Sequence, residues 1–158
     1  MRNNPPSLIW IRWLLIASVG VALFGFVLVV APALTRQGFS LLVYADLARI
    51  SSFGEEAVRY VSLTHAVLGS VMFGWGVALI VVVKRLFARG YPEGWLIATT
   101  SVAAWFIPDT TYSALAGFWP NVALNVIFLV LFAIPLVATR ASFGTTTPNT
   151  SLERTREE

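Results

Sequence analysis

The chain has 158 residues, of which 57% are hydrophobic and 12% are charged, and its mean hydropathy is +0.75. Soluble globular domains carry about 25% charged residues, so this composition excludes an ordinary soluble protein and indicates an integral membrane protein. The formal net charge is +3, and there is no cysteine, which excludes disulfides, thiolate metal sites and cysteine nucleophiles.

Four apolar stretches are long enough to cross a hydrocarbon core of about 30 Å as helices that rise about 1.5 Å per residue. None of them shows the alternating pattern of a membrane barrel strand. We therefore predict an all-α fold, an integral membrane four-helix bundle that forms a single transmembrane domain over residues 1–140. The predicted spans cover about residues 13–33, 57–83, 95–115 and 121–139.

The first apolar stretch also has a feature of a signal peptide. Ala31-Pro32-Ala33 follows the small-x-small pattern of a cleavage site, and cleavage there would leave three spans. However, the apolar run is longer than the roughly 7 to 15 residues of a typical signal core, and Trp10 and Trp13 are typical interfacial anchors. We therefore expect the first stretch to remain as a span.

The connection between the first two spans, residues 34–56, contains a second helical pattern. Its apolar residues recur at helical spacing and predict a short helix on the outer membrane surface. The segment 52–55, Ser-Phe-Gly-Glu, matches a capping box and predicts that a helix starts there. The apolar residues of the surface helix are Phe39, Leu42, Val43, Leu47 and Ile50.

The basic residues are distributed unequally on the two sides of the predicted spans. Eight of the eleven lie on one side, and by the positive-inside rule this predicts that both termini are cytoplasmic. Topology and anionic lipid headgroups explain the basic excess, so no nucleic-acid partner is expected. Residues 141–158 are rich in Thr, Ser, Arg and Glu and are predicted to form a disordered cytoplasmic tail. The eight residues are Arg2, Arg12, Lys84, Arg85, Arg89, Arg140, Arg154 and Arg156.

Polar side chains on three predicted spans lie at a similar depth in the outer half of the membrane. His65 is roughly 12 Å below the outer end of the second span, and Asp109 is roughly 9 Å deep in the third, at about 1.5 Å per residue. Asn121 stands at the mouth of the fourth span, and Asn125 lies about one turn further in. Because only residues 116–120 separate the third and fourth spans, these two helices are expected to be antiparallel neighbours.

Helical spacing extends this polar group along each span. On the second span, His65 continues into a stripe with Gly69, Met72 and Gly76, whose glycines allow another backbone to approach closely. We predict a small polar pocket that opens outward beneath the surface helix, with Asp109 within reach of His65 and Asn125. The candidate pocket residues are His65, Trp105, Asp109, Tyr112, Ser113, Asn121 and Asn125.

The same polar residues also have a purely structural interpretation. A charged carboxyl within a span costs about 2.5 to 3.5 kcal/mol, so Asp109 is expected to face the interior of the helix bundle. There it could simply hydrogen-bond across helices, at about 0.6 kcal/mol per contact. No metal site is expected, because one His and one Asp provide too few ligands, and no cofactor or catalytic residue is identified.

Two segments, LTHAVLGSVMFGWG and WFIPDTTYSALAGFWPNVALN, resemble a group of uncharacterised small four-span bacterial integral membrane proteins. The shared features are a glycine-rich second span, a W-F-x-x-D-T third span and an N-x-x-x-N fourth span, and the resemblance runs over about half of the chain. It implies four spans in a bacterial inner membrane, and it implies no activity, substrate or cofactor.

Three kinds of function remain open. The favoured one is a binding role, in which the helices hold a lipid, a quinone-like molecule or another amphiphile at the outer leaflet, or act as an accessory subunit of a larger membrane complex. The second is a membrane enzyme that acts on a lipidic or isoprenoid substrate, with His65 and Asp109 as acid and base. The third is a transporter, for which four short spans would require a homo-oligomer.

Overall fold

A computed structural model describes residues 5–143, and all regular secondary structure in that range is helical, which confirms the all-α prediction. Single 3-10 turns precede and follow α3 at Ile50–Ser52 and Phe87–Arg89, and another follows α5 at Arg140–Phe143. The predicted tail lies outside the described residues from position 144 onward. The five helices are α1 (Leu8–Val30), α2 (Pro32–Tyr44), α3 (Glu55–Arg85), α4 (Pro92–Leu115) and α5 (Trp119–Thr139).

Three of the helices are long and apolar enough to cross a membrane. They are α1, α3 and α5, the last two together with the turns that extend them to Arg89 and Phe143. The helix α4 has 24 residues and is not among these three. Its polar residues, which include Thr99, Thr100 and Asp109, lower its hydropathy. The structure therefore supports a helical membrane protein with three apolar helices, one fewer than the sequence predicts.

The four long helices pack side by side and alternate in direction. The closest packing is between α1 and α3, and α4 packs against α5, while α1–α5 and α3–α4 contacts join the two pairs. We call the end at which α1 and α4 begin the near end, and the end at which α3 and α5 begin the far end. The helix α2 contacts α1, α3 and α5 at the far end.

Glycine permits the close approach of α1 and α3. A methyl group placed on Gly69 would lie 2.6 Å from Cβ of Leu28, and one on Gly76 would lie 2.9 Å from Cβ of Ala22. Gly25 of α1 fits in the same way against the backbone of α3. The predicted glycine stripe is therefore confirmed as a packing surface, as expected where small residues let two backbones meet.

The near half of the molecule is filled by close-packed side chains. Leu14, Val83 and Phe87 are completely buried there. Two tryptophans also anchor helices to α5, because Trp13 Nε1 donates to the Leu131 carbonyl at 3.0 Å and Trp95 Nε1 donates to the Leu136 carbonyl at 2.8 Å. The core consists of Ile11, Leu14, Val21, Leu79, Val83, Phe87, Ala98, Val102, Phe132, Leu136 and Phe143.

The connection between α1 and α3 differs from the prediction. The helix α2 follows α1 after one non-helical residue and ends at Tyr44, and its C-cap residue Ala45 has a left-handed backbone (φ 54°). Asp46 then accepts a hydrogen bond from the Ala48 amide at 2.9 Å and so forms a turn that the apolar periodicity could not reveal. The capping-box prediction is wrong, since Gly54 is the N-cap of α3 and the Ser52 hydroxyl donates to the Arg49 carbonyl.

Candidate functional site

The far half of the molecule contains a cavity of about 770 Å³ that is partly open to the outside. All five helices contribute to its wall, and Val21 and Phe132 at its base belong also to the close-packed core. Most of its lining is aromatic or aliphatic. The aromatic residues of the wall are Phe24, Phe39, Trp75, Trp105, Tyr112, Phe118, Phe128 and Phe132.

A cluster of polar side chains from α4 and α5 interrupts this apolar wall. Asn121 Nδ2 donates to Asp109 Oδ1 at 3.1 Å and to the Ser113 hydroxyl at 2.8 Å, and that hydroxyl donates to Asp109 Oδ1 at 3.3 Å. Ser113 is 3% exposed, whereas Asp109 is half-buried. The connection between α4 and α5 is short, and so it holds Asn121 level with the last two turns of α4, as the sequence predicts.

Asp109 has no cationic partner among residues 5–143, where the only ion pair joins the exposed Arg59 and Glu55. Both hydrogen bonds that Asp109 receives go to Oδ1. Within this part of the chain, Oδ2 receives none. The carboxyl group is therefore fixed in place through one oxygen, while the other is left for a different partner.

Neither Asn125 nor His65, which the sequence predicts to lie within reach of Asp109, forms a hydrogen bond with it. Asn125, which is 3% exposed, donates to the Thr110 hydroxyl at 3.2 Å instead of to the carboxylate. Asn121 donates to both Ser113 and Asp109, while Asn125 is one turn further from the α4–α5 connection and meets Thr110. His65 makes no hydrogen bond to Asp109.

His65 lies behind the cavity wall. Its ring is 8% exposed and stacks on Phe39, with 4.4 Å between the ring centroids and 26° between the planes. Phe39 lines the cavity, whereas His65 does not. On the same contact between α2 and α3, the Arg36 guanidinium donates to the Ser62 hydroxyl at 3.0 Å. His65 therefore supports the side chain that forms the wall.

The structure thus brings six of the seven candidate residues to one cavity and leaves His65 outside it. Several other residues of the wall are not among the seven candidates. Helical periodicity identifies three of them on α4 and α5. Ser101 is four residues before Trp105 on α4, and Leu124 and Phe128 continue the face of Asn121 and Asn125 on α5. Val43 of α2, one of the apolar residues predicted for the surface helix, also lines this wall.

The fold and the cavity define a class: a small helical membrane protein with an internal apolar cavity and a polar cluster in its wall. Comparison of the chain with protein-family models, with curated protein sequences and with solved structures gives no match.

Proposed function

We propose that this protein binds an amphiphile inside the membrane, with the apolar part of the ligand in the cavity and its head at the Asp109 cluster. The observation that carries the proposal is the contrast between the two halves of the molecule. The near half is filled by core side chains, whereas the far half leaves about 770 Å³ between helices that are otherwise long and apolar.

The dimensions and chemistry of the cavity support this proposal. Pockets for small molecules measure about 300 to 1,000 Å³, and their walls are mainly apolar with a few polar groups that fix orientation. The present cavity falls within that range. Asp109, Ser113 and Asn121 form the polar group, and their mutual hydrogen bonds hold them in one arrangement before a ligand arrives. Such preorganisation lowers the cost of binding.

Acid and base catalysis by His65 and Asp109 has less support. A catalytic pair must reach the same substrate atoms through hydrogen bonds of about 2.6 to 3.2 Å or through one water. His65 stacks on the Phe39 ring, which lines the cavity, and His65 itself contributes nothing to the lining. The binding role therefore takes precedence.

The proposal includes the membrane topology. We place both termini in the cytoplasm, from the distribution of the basic residues, and α4 as a fourth span that packs along α5. Its Asp109, Thr110 and Ser113 side chains form hydrogen bonds with Asn121 and Asn125 of α5. Polar groups inside a membrane are expected to face protein in this way. We expect reporter fusions after Val83 and after Phe118 to give opposite signals. If both fusions report the same compartment, α4 does not cross the membrane.

Filling the cavity provides a direct test of ligand binding. We expect Ala104→Phe, which adds a ring to the cavity wall, to reduce the amount of copurified amphiphile about tenfold or more, since overpacking typically costs 1 to 3 kcal/mol. The measurement is native mass spectrometry of protein extracted under gentle conditions. Ile107→Phe is the matched control, because Ile107 is on the same helix, is 61% exposed and does not line the cavity.

The two variants separate the possible outcomes. A bound amphiphile in the wild type and in Ile107→Phe, with a strong reduction in Ala104→Phe, supports binding in the cavity. A bound molecule that is retained equally in both variants lies on the outer surface, and the proposal is then wrong. Detection of a stable protein partner in place of a bound amphiphile would indicate an accessory subunit.

A further inference from the structure

The polar cluster in the cavity wall presents acceptors and few free donors. Asn121 Nδ2 uses its two hydrogens on Asp109 and Ser113, and the Ser113 hydroxyl uses its single hydrogen on Asp109. The orientation of the Asn121 amide is fixed, because only its NH₂ group can donate to the neighbouring carboxylate. What this cluster offers a ligand is therefore a carboxylate oxygen and the Asn121 carbonyl oxygen.

The charge of the cluster also favours a ligand that donates hydrogen bonds. Among residues 5–143 no arginine or lysine pairs with Asp109. The surrounding wall is aromatic, with Trp105 and Tyr112 on the same helix face as Asp109 and Phe118 on the adjoining connection. Aromatic faces attract cations, and a carboxylate in a weakly polar environment binds a cationic donor more tightly than a neutral one.

We propose that the cavity selects amphiphiles whose head is a protonated primary amine, with Asp109 as the counter-ion. This inference rests on the proposed binding function and adds the chemical class of the ligand. The amine donates to Asp109 Oδ2 and to the Asn121 carbonyl oxygen, and the aromatic residues surround its apolar body. An anionic head is excluded by Asp109, and a neutral hydroxyl head makes one weaker hydrogen bond.

The test compares three ligands of the same chain length: dodecylamine, dodecanol and dodecanoic acid, each brominated at the end of the chain. Bromine quenches tryptophan fluorescence, and both Trp75 and Trp105 line the cavity. The full-length protein is placed in phosphatidylcholine nanodiscs, and each ligand is titrated. Quenching that persists in a Trp75→Phe, Trp105→Phe double variant reports partitioning into the bilayer and is subtracted.

We expect the wild-type protein to bind the amine about tenfold or more tightly than the alcohol, and the acid least tightly, as a charge-assisted hydrogen bond is stronger than a neutral one. In Asp109→Asn the ratio of the amine affinity to the alcohol affinity should fall from about tenfold or more to about threefold or less, because the charge-assisted hydrogen bond is lost. Retention of the amine preference in this variant would overturn the role of Asp109.

The wild-type titrations test the preference for an amine head group even if Asp109→Asn does not fold. Equal binding of amine and alcohol, or strongest binding of the acid, contradicts the inference about the head group but leaves the proposed binding function standing. If none of the three ligands causes quenching beyond that of the double variant, the proposed function and this inference are both wrong.

Discussion

Replacing Gly69 or Gly76 by leucine is expected to lower the free energy of unfolding by about 3 kcal/mol, the upper part of the usual range for overpacking. A side chain at either position would meet backbone or Cβ atoms of α1, at 2.6 Å from Leu28 Cβ for Gly69 and at 2.5 Å from the Ala22 amide nitrogen for Gly76. Backbone atoms cannot move aside as the end of a flexible side chain can. The only relief is to separate α1 from α3 along their whole contact.

Gly74→Leu is the matched control on the same helix, since a side chain at Gly74 would meet nothing within 4 Å. Gly20→Leu provides the same control on α1. Denaturation in detergent, followed by circular dichroism, should show wild-type stability for both controls and early melting for Gly69→Leu and Gly76→Leu. Equal stability of all four variants would mean that α1 and α3 do not approach as closely as the structure indicates.

Phe87→Ala is expected to destabilise the protein by about 3 to 5 kcal/mol, as is typical when a buried phenylalanine is removed. Phe87 is completely buried at the near end, in the turn between α3 and α4, and its ring centroid lies 4.9 Å from that of Phe143. The same turn packs against Gly94, where an added methyl group would lie 2.8 Å from Leu86 Cβ. The backbone around Phe87 is closely packed and cannot move inward, so the cavity left by the substitution is not expected to collapse.

The control for this substitution is Phe73→Ala, which removes the same number of atoms from a side chain that is 44% exposed on α3. Its effect should stay below about 1 kcal/mol. The same denaturation assay measures both variants. A loss at Phe73→Ala as large as that at Phe87→Ala would show that the near-end core does not dominate stability.

The polar cluster illustrates what sequence could and could not predict. Depth along each helix and the short α4–α5 connection are enough to bring Asp109, Ser113 and Asn121 together, because both are consequences of chain length. The choice of Asn121 over Asn125 as the partner of Asp109 depends on how far each helix is rotated about its axis. Sequence spacing relates residues on one helix, and it does not set the rotation of one helix relative to another.

The position of His65 also depends on the rotation of its helix. It lies on the face of α3 that carries Gly69 and Gly76, and that face packs closely against α1, so His65 is directed toward α2 rather than into the cavity. The number of helices apolar enough to cross a membrane depends on hydropathy as well as on length. The polar residues of α4, of which Asp109 and Ser113 line the cavity, lower its hydropathy relative to α1, α3 and α5.

The close-packed near half has a consequence for the kinetics of any occupant of the cavity. Val21 and Phe132 close its base, and below them the core continues to Phe87 and Phe143. A molecule in this space is blocked toward the near end, and it can leave only past the far ends of the helices or through the part of the wall that is open between them. Its residence time is then set by how readily these openings admit and release it, and passage toward the near end would require the core itself to open.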